Sequence, residues 1–274
     1  MKIQILGPLS AEVNGGSFVP TAAKPRQILA LMALYAGRVV TVPLLMDEIW
    51  GTEPPASALS TMRTYILQLR KRMGTAMGPS ASGGAKDVLA TRHGGYLLQI
   101  PDGGGVDVHD YERLARAGHA AFETGDDEVA ARRFRAALDL WQGSALVDVR
   151  VGPILELEMR RLEESRLATI ERRIDADLRL GRHAELIAEL TDLTARHPAH
   201  EGLHSQVMVA LYRSGRQAAA LDVYRRLRER LIDELGLEPS PQLQRLHQAM
   251  LSVDPLLDVQ AGPRRTSTYD LFAA

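Results

Sequence analysis

Two constellations in this 274-residue chain combine residue types and spacings that could do chemistry. The first is His200-Glu-Gly-Leu-His204, a literal H-E-x-x-H. On a helix, histidines four apart share a face and could hold zinc, with Glu201 as the general base of a hydrolase. His197 adds a third imidazole close by. The competing reading makes His200 to Tyr212 the first helix of a repeat pair, preceded by Pro198. Gly202 inside the motif does not suit a rigid metal site, and no strand pattern surrounds it. We expect the repeat helix and no metal. The second constellation is LSTMRTYILQLRKRM, Leu59 to Met73. Leu59, Met62, Ile66, Leu69 and Met73 recur at spacings of three and four, which predicts a helix with one buried stripe. Thr61, Arg63, Thr64, Tyr65, Gln68, Arg70, Lys71 and Arg72 occupy the rest of its surface. A solvated helix face ordinarily mixes both signs, because opposite charges at i and i+4 support it. Here four cations meet no acid. Such a face suits a polyanion.

Other chemistries find little support. Gly78 and Gly83 are spaced like the ends of a phosphate loop, but Gly84 stands where that motif requires Lys. No G-x-S-x-G occurs, and the absence of cysteine removes thiol nucleophiles, disulfides and thiolate metal sites. The chain is expected not to be an enzyme and to need no cofactor.

Nucleic-acid chemistry gathers further residues. Lys24 and Arg26 lie at a predicted helix N-terminus, where cations and free backbone N–H groups suit a phosphate. Arg92 and His93 fall at the tip of a predicted hairpin, placed to meet backbone or minor groove. In the early turns of the basic helix, Arg63 suits guanine O6 and N7, while Thr61, Thr64 and Tyr65 suit thymine methyls or phosphates. Arg70, Lys71 and Arg72, near its far end, suit phosphate. A structural alternative for Arg70 is a pair with Asp47 or Glu48 on the preceding helix.

The elements that must position these residues follow from punctuation. Lys2–Leu6 alternates; Ala11–Val13 and Ser17–Val19 flank Asn14-Gly15-Gly16 as a hairpin. A helix from about Pro25 to Tyr35, a strand at Arg38–Val42 and a helix from Leu44 to Trp50 precede the basic helix. After a Gly/Ser loop at 78–84, Val88–Arg92 and Tyr96–Ile100 flank His93-Gly-Gly95 as a second hairpin. Three helices closed by a hairpin predict a winged helix-turn-helix over 1–102, with the basic helix as reader. That part holds ten Lys/Arg against six Asp/Glu, and the remainder twenty-three against twenty-eight. Two different jobs are implied.

Pro101–Gly105 reads as a linker, and 106–253 as helical throughout. Gly125, Gly181 and Gly215 each end one helix before a polar turn and another helix. The last two are 34 residues apart, the tetratricopeptide (TPR) period. A segment around Trp141–Pro153 widens the first interval. The fold class is therefore mainly α: an α+β winged unit followed by an all-α TPR-like domain, with 254–274 as a disordered tail. No apolar run approaches the roughly 20 residues that span a bilayer, and no secretory signal opens the chain. A cytoplasmic, nucleoid-associated protein without membrane contact is expected.

STMRTYILQLRKRM followed by TRHGGYLL is similar to the reader helix and wing of OmpR/PhoB-type winged helices. His93-Gly94-Gly95-Tyr96 varies their Gly-x-Gly-Tyr. ALYRSGRQAAAL and ELGLEPSPQL resemble the end of the bacterial transcriptional activator domain, and ILGPLSAEVNG fits the same pattern. Together, over about residues 1–253, they resemble the Streptomyces antibiotic regulatory protein family. That resemblance implies a pathway-specific activator of antibiotic clusters that binds promoter direct repeats and recruits RNA polymerase with its principal sigma factor. We further expect a homodimer on DNA. No receiver, NTPase or sensor domain is read in this sequence, so phosphoacceptor control has no expected site. The alternative is a TPR-type adaptor with nonspecific nucleic-acid binding.

Overall fold

The computed structural model describes residues 1–78 and 84–257. The loop expected at 78–84 and the tail expected from 254 therefore lie mostly outside the described residues. Pro255–Leu257 is placed as a 3-10 turn with Leu257 buried.

Three short strands come first: β1 (Lys2–Gln4), β2 (Ser10–Val13) and β3 (Gly16–Ser17). The two-residue turn Asn14-Gly15 joins β2 to β3, as the sequence predicts. Next are α1 (Ala23–Leu34), β4 (Val39–Thr41), α2 (Val42–Trp50), α3 (Ala58–Met77), α4 (Ala85–Val88), β5 (Leu89–Arg92), β6 (Gly95–Leu98) and β7 (Gly105–Val106). One sheet has the order β3-β2-β1-β7, with β7 parallel to β1; the other has the antiparallel order β4-β6-β5. This is the expected winged helix-turn-helix. Part of the expected linker departs from that reading. Gly105 pairs with Lys2, and its N–H donates to the Met1 carbonyl at 3.1 Å, so the turn Pro101–Gly104 feeds an edge strand of the first sheet.

α1 is buried on nearly every side, from Gln27 through Leu34, as an apolar helix must be when neighbours cover it all round. On α3 the buried stripe is Ala58, Met62, Ile66, Leu69 and Met73. Leu59, assigned to that stripe by spacing, is 41% exposed. The observed steps of four, four, three and four follow the 3.6-residue turn one position earlier.

Seven more helices complete the described chain: α5 (Asp107–Glu123), α6 (Asp127–Leu138), α7 (Pro153–Arg179), α8 (His183–Arg196), α9 (Glu201–Arg213), α10 (Gln217–Arg230) and α11 (Pro241–Leu251). A π turn, Leu231–Leu235, extends α10. Gly125, Gly181 and Gly215 follow α5, α7 and α9 with φ of 80°, 79° and 74°. In that left-handed conformation a Cβ is penalised, and glycine closes a helix without that cost. The three expected helical pairs are present.

Packing gathers the chain into two compact units: Met1–Arg113 with Ala137–Arg166, and Leu114–Ala136 with the chain from Leu167 onward. In the first, the stretch between α6 and α7 is bonded to the segment that joins β1 to β2. Gln142 N–H donates to the Leu6 carbonyl at 2.7 Å, Leu146 N–H to Ile5 at 3.0 Å, and Leu9 N–H to Asp148 at 2.8 Å. That attachment accounts for the widened repeat interval. The second unit closes over Leu178, Leu190, Leu203, Met208, Leu227 and Leu243. Among the described residues, no helix is long and apolar enough to cross a membrane.

Candidate nucleic-acid interface

Burying one stripe of α3 fixes what the opposite side presents. Ser60, Arg63, Thr64, Leu67, Gln68 and Lys71 are all exposed, at the i, i+3, i+4, i+7, i+8 and i+11 positions of one outward face. Among the described residues, the side chains of Arg63, Gln68 and Lys71 make no internal hydrogen bond or ion pair. Thr64 Oγ1 donates to the Ser60 carbonyl at 3.1 Å, leaving its lone pairs outward. Thr61 and Tyr65 are half-buried at the edge of this face.

Leu67, 63% exposed, belongs to the face although the sequence reading passed over it. Its adjacency to Ile66 was the available signal. Ile66 enters the buried stripe with Met62 and Leu69, and Leu67, 100° further round the helix, falls outside it.

Arg70 turns inward. Its Nε donates to the Leu89 carbonyl at 2.8 Å and its Nη2 to Thr91 Oγ1 at 2.9 Å, both on β5. The pair anticipated with Asp47 or Glu48 is not formed. Glu48 is 2% exposed, and its carboxylate accepts from Gly152 N–H at 2.6 Å, Ile154 N–H at 3.0 Å, Leu155 N–H at 2.9 Å and Gln27 Nε2 at 2.7 Å. It thus satisfies the open donors at the start of α7, where negative charge is favoured. The approach is close enough that a Cβ on Gly152 would stand 1.9 Å from the Glu48 carbonyl oxygen.

The hairpin formed by β5 and β6 carries Arg92 and His93 exposed at its tip. Arg70 therefore fastens the expected wing to the expected reader helix. Arg72 is exposed and reaches the Val19 carbonyl with Nη1 at 3.4 Å. At the start of α1, the Lys24 ammonium lies 4.8 Å from the centre of the Trp50 ring. Arg26 pairs with Asp148, and its buried Nε has no partner among the described residues. Arg26 and Arg70 are thus held by the protein and Lys24 lies against Trp50, while Arg63, Gln68, Lys71, Arg92 and His93 are exposed.

The H-E-x-x-H residues are separately employed. His200 is the N-cap of α9, its Nδ1 accepting from Leu203 N–H at 3.4 Å. The Glu201 carboxylate accepts from Ser240 N–H, and His204 lies on the buried side of α9 with Nδ1 on the His200 carbonyl at 3.1 Å. Burial above all holds the His204 imidazole below its ordinary range, against the raising effect of its hydrogen bond to the His200 backbone; the charges of Arg230, His200 and Arg226 also lower it. Among the described residues, no group of three or more His, Cys, Asp and Glu is placed to hold a metal ion.

Residues 106–251 match the family described as bacterial transcriptional activator domain, and residues 16–98 that described as transcriptional regulatory protein, C terminal. The chain is 56% identical to the regulatory protein DnrI of Streptomyces peucetius over 263 residues, 96% of each chain. It is 41% identical, over its whole length, to the regulatory protein AfsR of Streptomyces coelicolor, of which it spans 26%. A solved structure of Mycobacterium tuberculosis EmbR in complex with a low affinity phosphopeptide aligns with a TM-score of 0.85 at 34% identity, over 93% of this chain and 65% of that one.

Proposed function

Because the chain belongs to the Streptomyces antibiotic regulatory protein family of transcriptional activators, we propose that it binds promoter direct repeats in a sequence-specific manner and recruits RNA polymerase with its principal sigma factor. In this reading residues 1–102 form the DNA-reading domain. Residues 106–253 support protein contacts, including a homodimer on DNA. The protein acts in the cytoplasm at the nucleoid, on genes of secondary-metabolite biosynthesis.

The observation that supports this most is the exposed α3 face, cationic and without internal partners at Arg63, Gln68 and Lys71. Arg63 in an early turn has the fork geometry that grips guanine O6 and N7, and Leu67 one turn on offers apolar contact to a thymine methyl. Lys71, Arg72 and Lys24 neutralise phosphates; Arg92 and His93 meet the backbone or minor groove. Arg26 and Arg70 act as positioning residues, through Asp148 and through the wing.

Promoter footprinting with and without RNA polymerase tests the whole proposal. We expect protected direct repeats whose protection extends when polymerase is added. In binding measurements with competitor DNA, Arg63→Ala should relax preference at about one base position, costing about 1–3 kcal/mol. Lys71→Ala should weaken all sequences alike and lower the salt slope by about one. Equal loss on every operator variant in Arg63→Ala would favour the nonspecific adaptor instead.

A further inference from the structure

We infer that the open groove between the β2–β3 turn and the C-terminal half of α3 is a second grip on the DNA phosphate backbone, with the hairpin acting as an additional wing. The groove encloses about 920 Å³ and is lined by Asn14 and Ser17 on one side and by Gln68, Lys71, Arg72 and Thr75 on the other. This rests on the reading of α3 as the helix that enters the major groove.

Three observations carry it. First, the walls are fastened to each other. Asn14 Nδ2 donates to the Met77 carbonyl at 3.0 Å, and Arg72 Nη1 reaches Val19 just beyond β3. The hairpin therefore holds a fixed position against the helix.

Second, the groove continues the reader face. At 100° per residue, Thr64, Gln68, Lys71 and Thr75 stay within about 60° of one another, so a rod lying along the outward face of α3 runs into the groove.

Third, the length fits the occupant. At 1.5 Å per residue, Thr75 lies about 18 Å along the helix from Arg63, beyond the roughly 12 Å width of a major groove. What lies past the groove edge is a phosphate strand. The lining suits that occupant: two cations, an amide on each wall and two hydroxyls, with no acid. Glu12, opposite Ser17 in the sheet, is in register with Lys2 on its other side.

The test varies charge at Ser17, an exposed strand position outside the reader helix. Binding of the full chain to its footprinted duplex and to a scrambled duplex is followed at several salt concentrations for Ser17→Glu, Ser17→Lys and Arg63→Ala. Ser17→Glu should weaken both duplexes several-fold and by the same factor. Ser17→Lys should strengthen both and steepen the slope of log K against log salt by about 0.9, one phosphate contact. Both signs are required, since a folding defect cannot produce the gain; any other pattern overturns the inference. Loss of preference in Arg63→Ala together with indifference to Ser17 overturns the groove alone. A chain that binds no duplex overturns the reading of α3 as well.

Discussion

Glu48 sits on α2 of the reading unit, yet its carboxylate serves the backbone at the start of α7. One buried carboxylate answers three backbone N–H groups and an amide there. Replacing one of its oxygens with an NH2 sets donor against donor. Glu48→Gln should therefore cost about 2–4 kcal/mol of stability, read as a lowered midpoint in urea unfolding followed by circular dichroism. An unchanged midpoint would deny the carboxylate this role. Leu67 presents the converse case, a large apolar side chain that the fold leaves in solvent. Leu67→Ala should leave stability within about 0.5 kcal/mol of the parent while weakening DNA binding at a thymine-containing position. Equal affinity for the footprinted operator before and after the change would remove Leu67 from the interface.

At the scale of elements, Arg70 links α3 to the wing. Two hydrogen bonds from one guanidinium set where β5 stands relative to α3. Arg70→Ala should lower overall affinity by loosening the wing and cost about 1–2 kcal/mol of stability. It should leave the base preference assigned to Arg63 intact. If preference changes instead, Arg70 touches bases itself. Element positions were largely readable from the chain, because Pro, Gly and the three-four apolar spacing punctuate it clearly. The Arg70 partner was not. An arginine reaches several neighbours, and choosing among Asp47, Glu48 and the β5 backbone requires knowing which of them already has other donors.

For the whole molecule, mild-acid sensitivity rests on three imidazoles, His204 buried and His119 and His247 half-buried. His119, His204 and His247 are each held below the ordinary histidine range, in every case first by burial. A folded value below the unfolded one means that the native chain binds fewer protons there. Stability is then full above about pH 6.5 and is lost as pH falls below it, because the unfolded chain takes up protons the folded one refuses. Melting temperature should be flat near pH 7.5, decline on approaching about pH 6 and decline less in His204→Gln. Glu171, raised chiefly by burial, acts in the opposite sense nearer the carboxylate range, so the test is cleanest at these milder values. A melting temperature that rises on mild acidification would contradict the assignment.

By itself the sequence determined the class of the longer elements, the order of the two folds, the glycine closures of the three helical pairs and the cationic character of α3. These are local matters: period, φ preference and charge follow from neighbours within a turn or two. It also carried enough of the family pattern to name the family. Only the tertiary structure decided which cations face outward. Arg26 and Arg70 look like their neighbours in sequence, but Asp148 and β5 claim them from 122 and about 20 positions away. It likewise decided that Leu67 is exposed, that Gly105 joins a sheet and that the stretch before α7 folds back on the segment that joins β1 to β2. Except for Leu67, which is set by the side of α3 that the core covers, those outcomes depend on long-range hydrogen bonds, which no local spacing encodes.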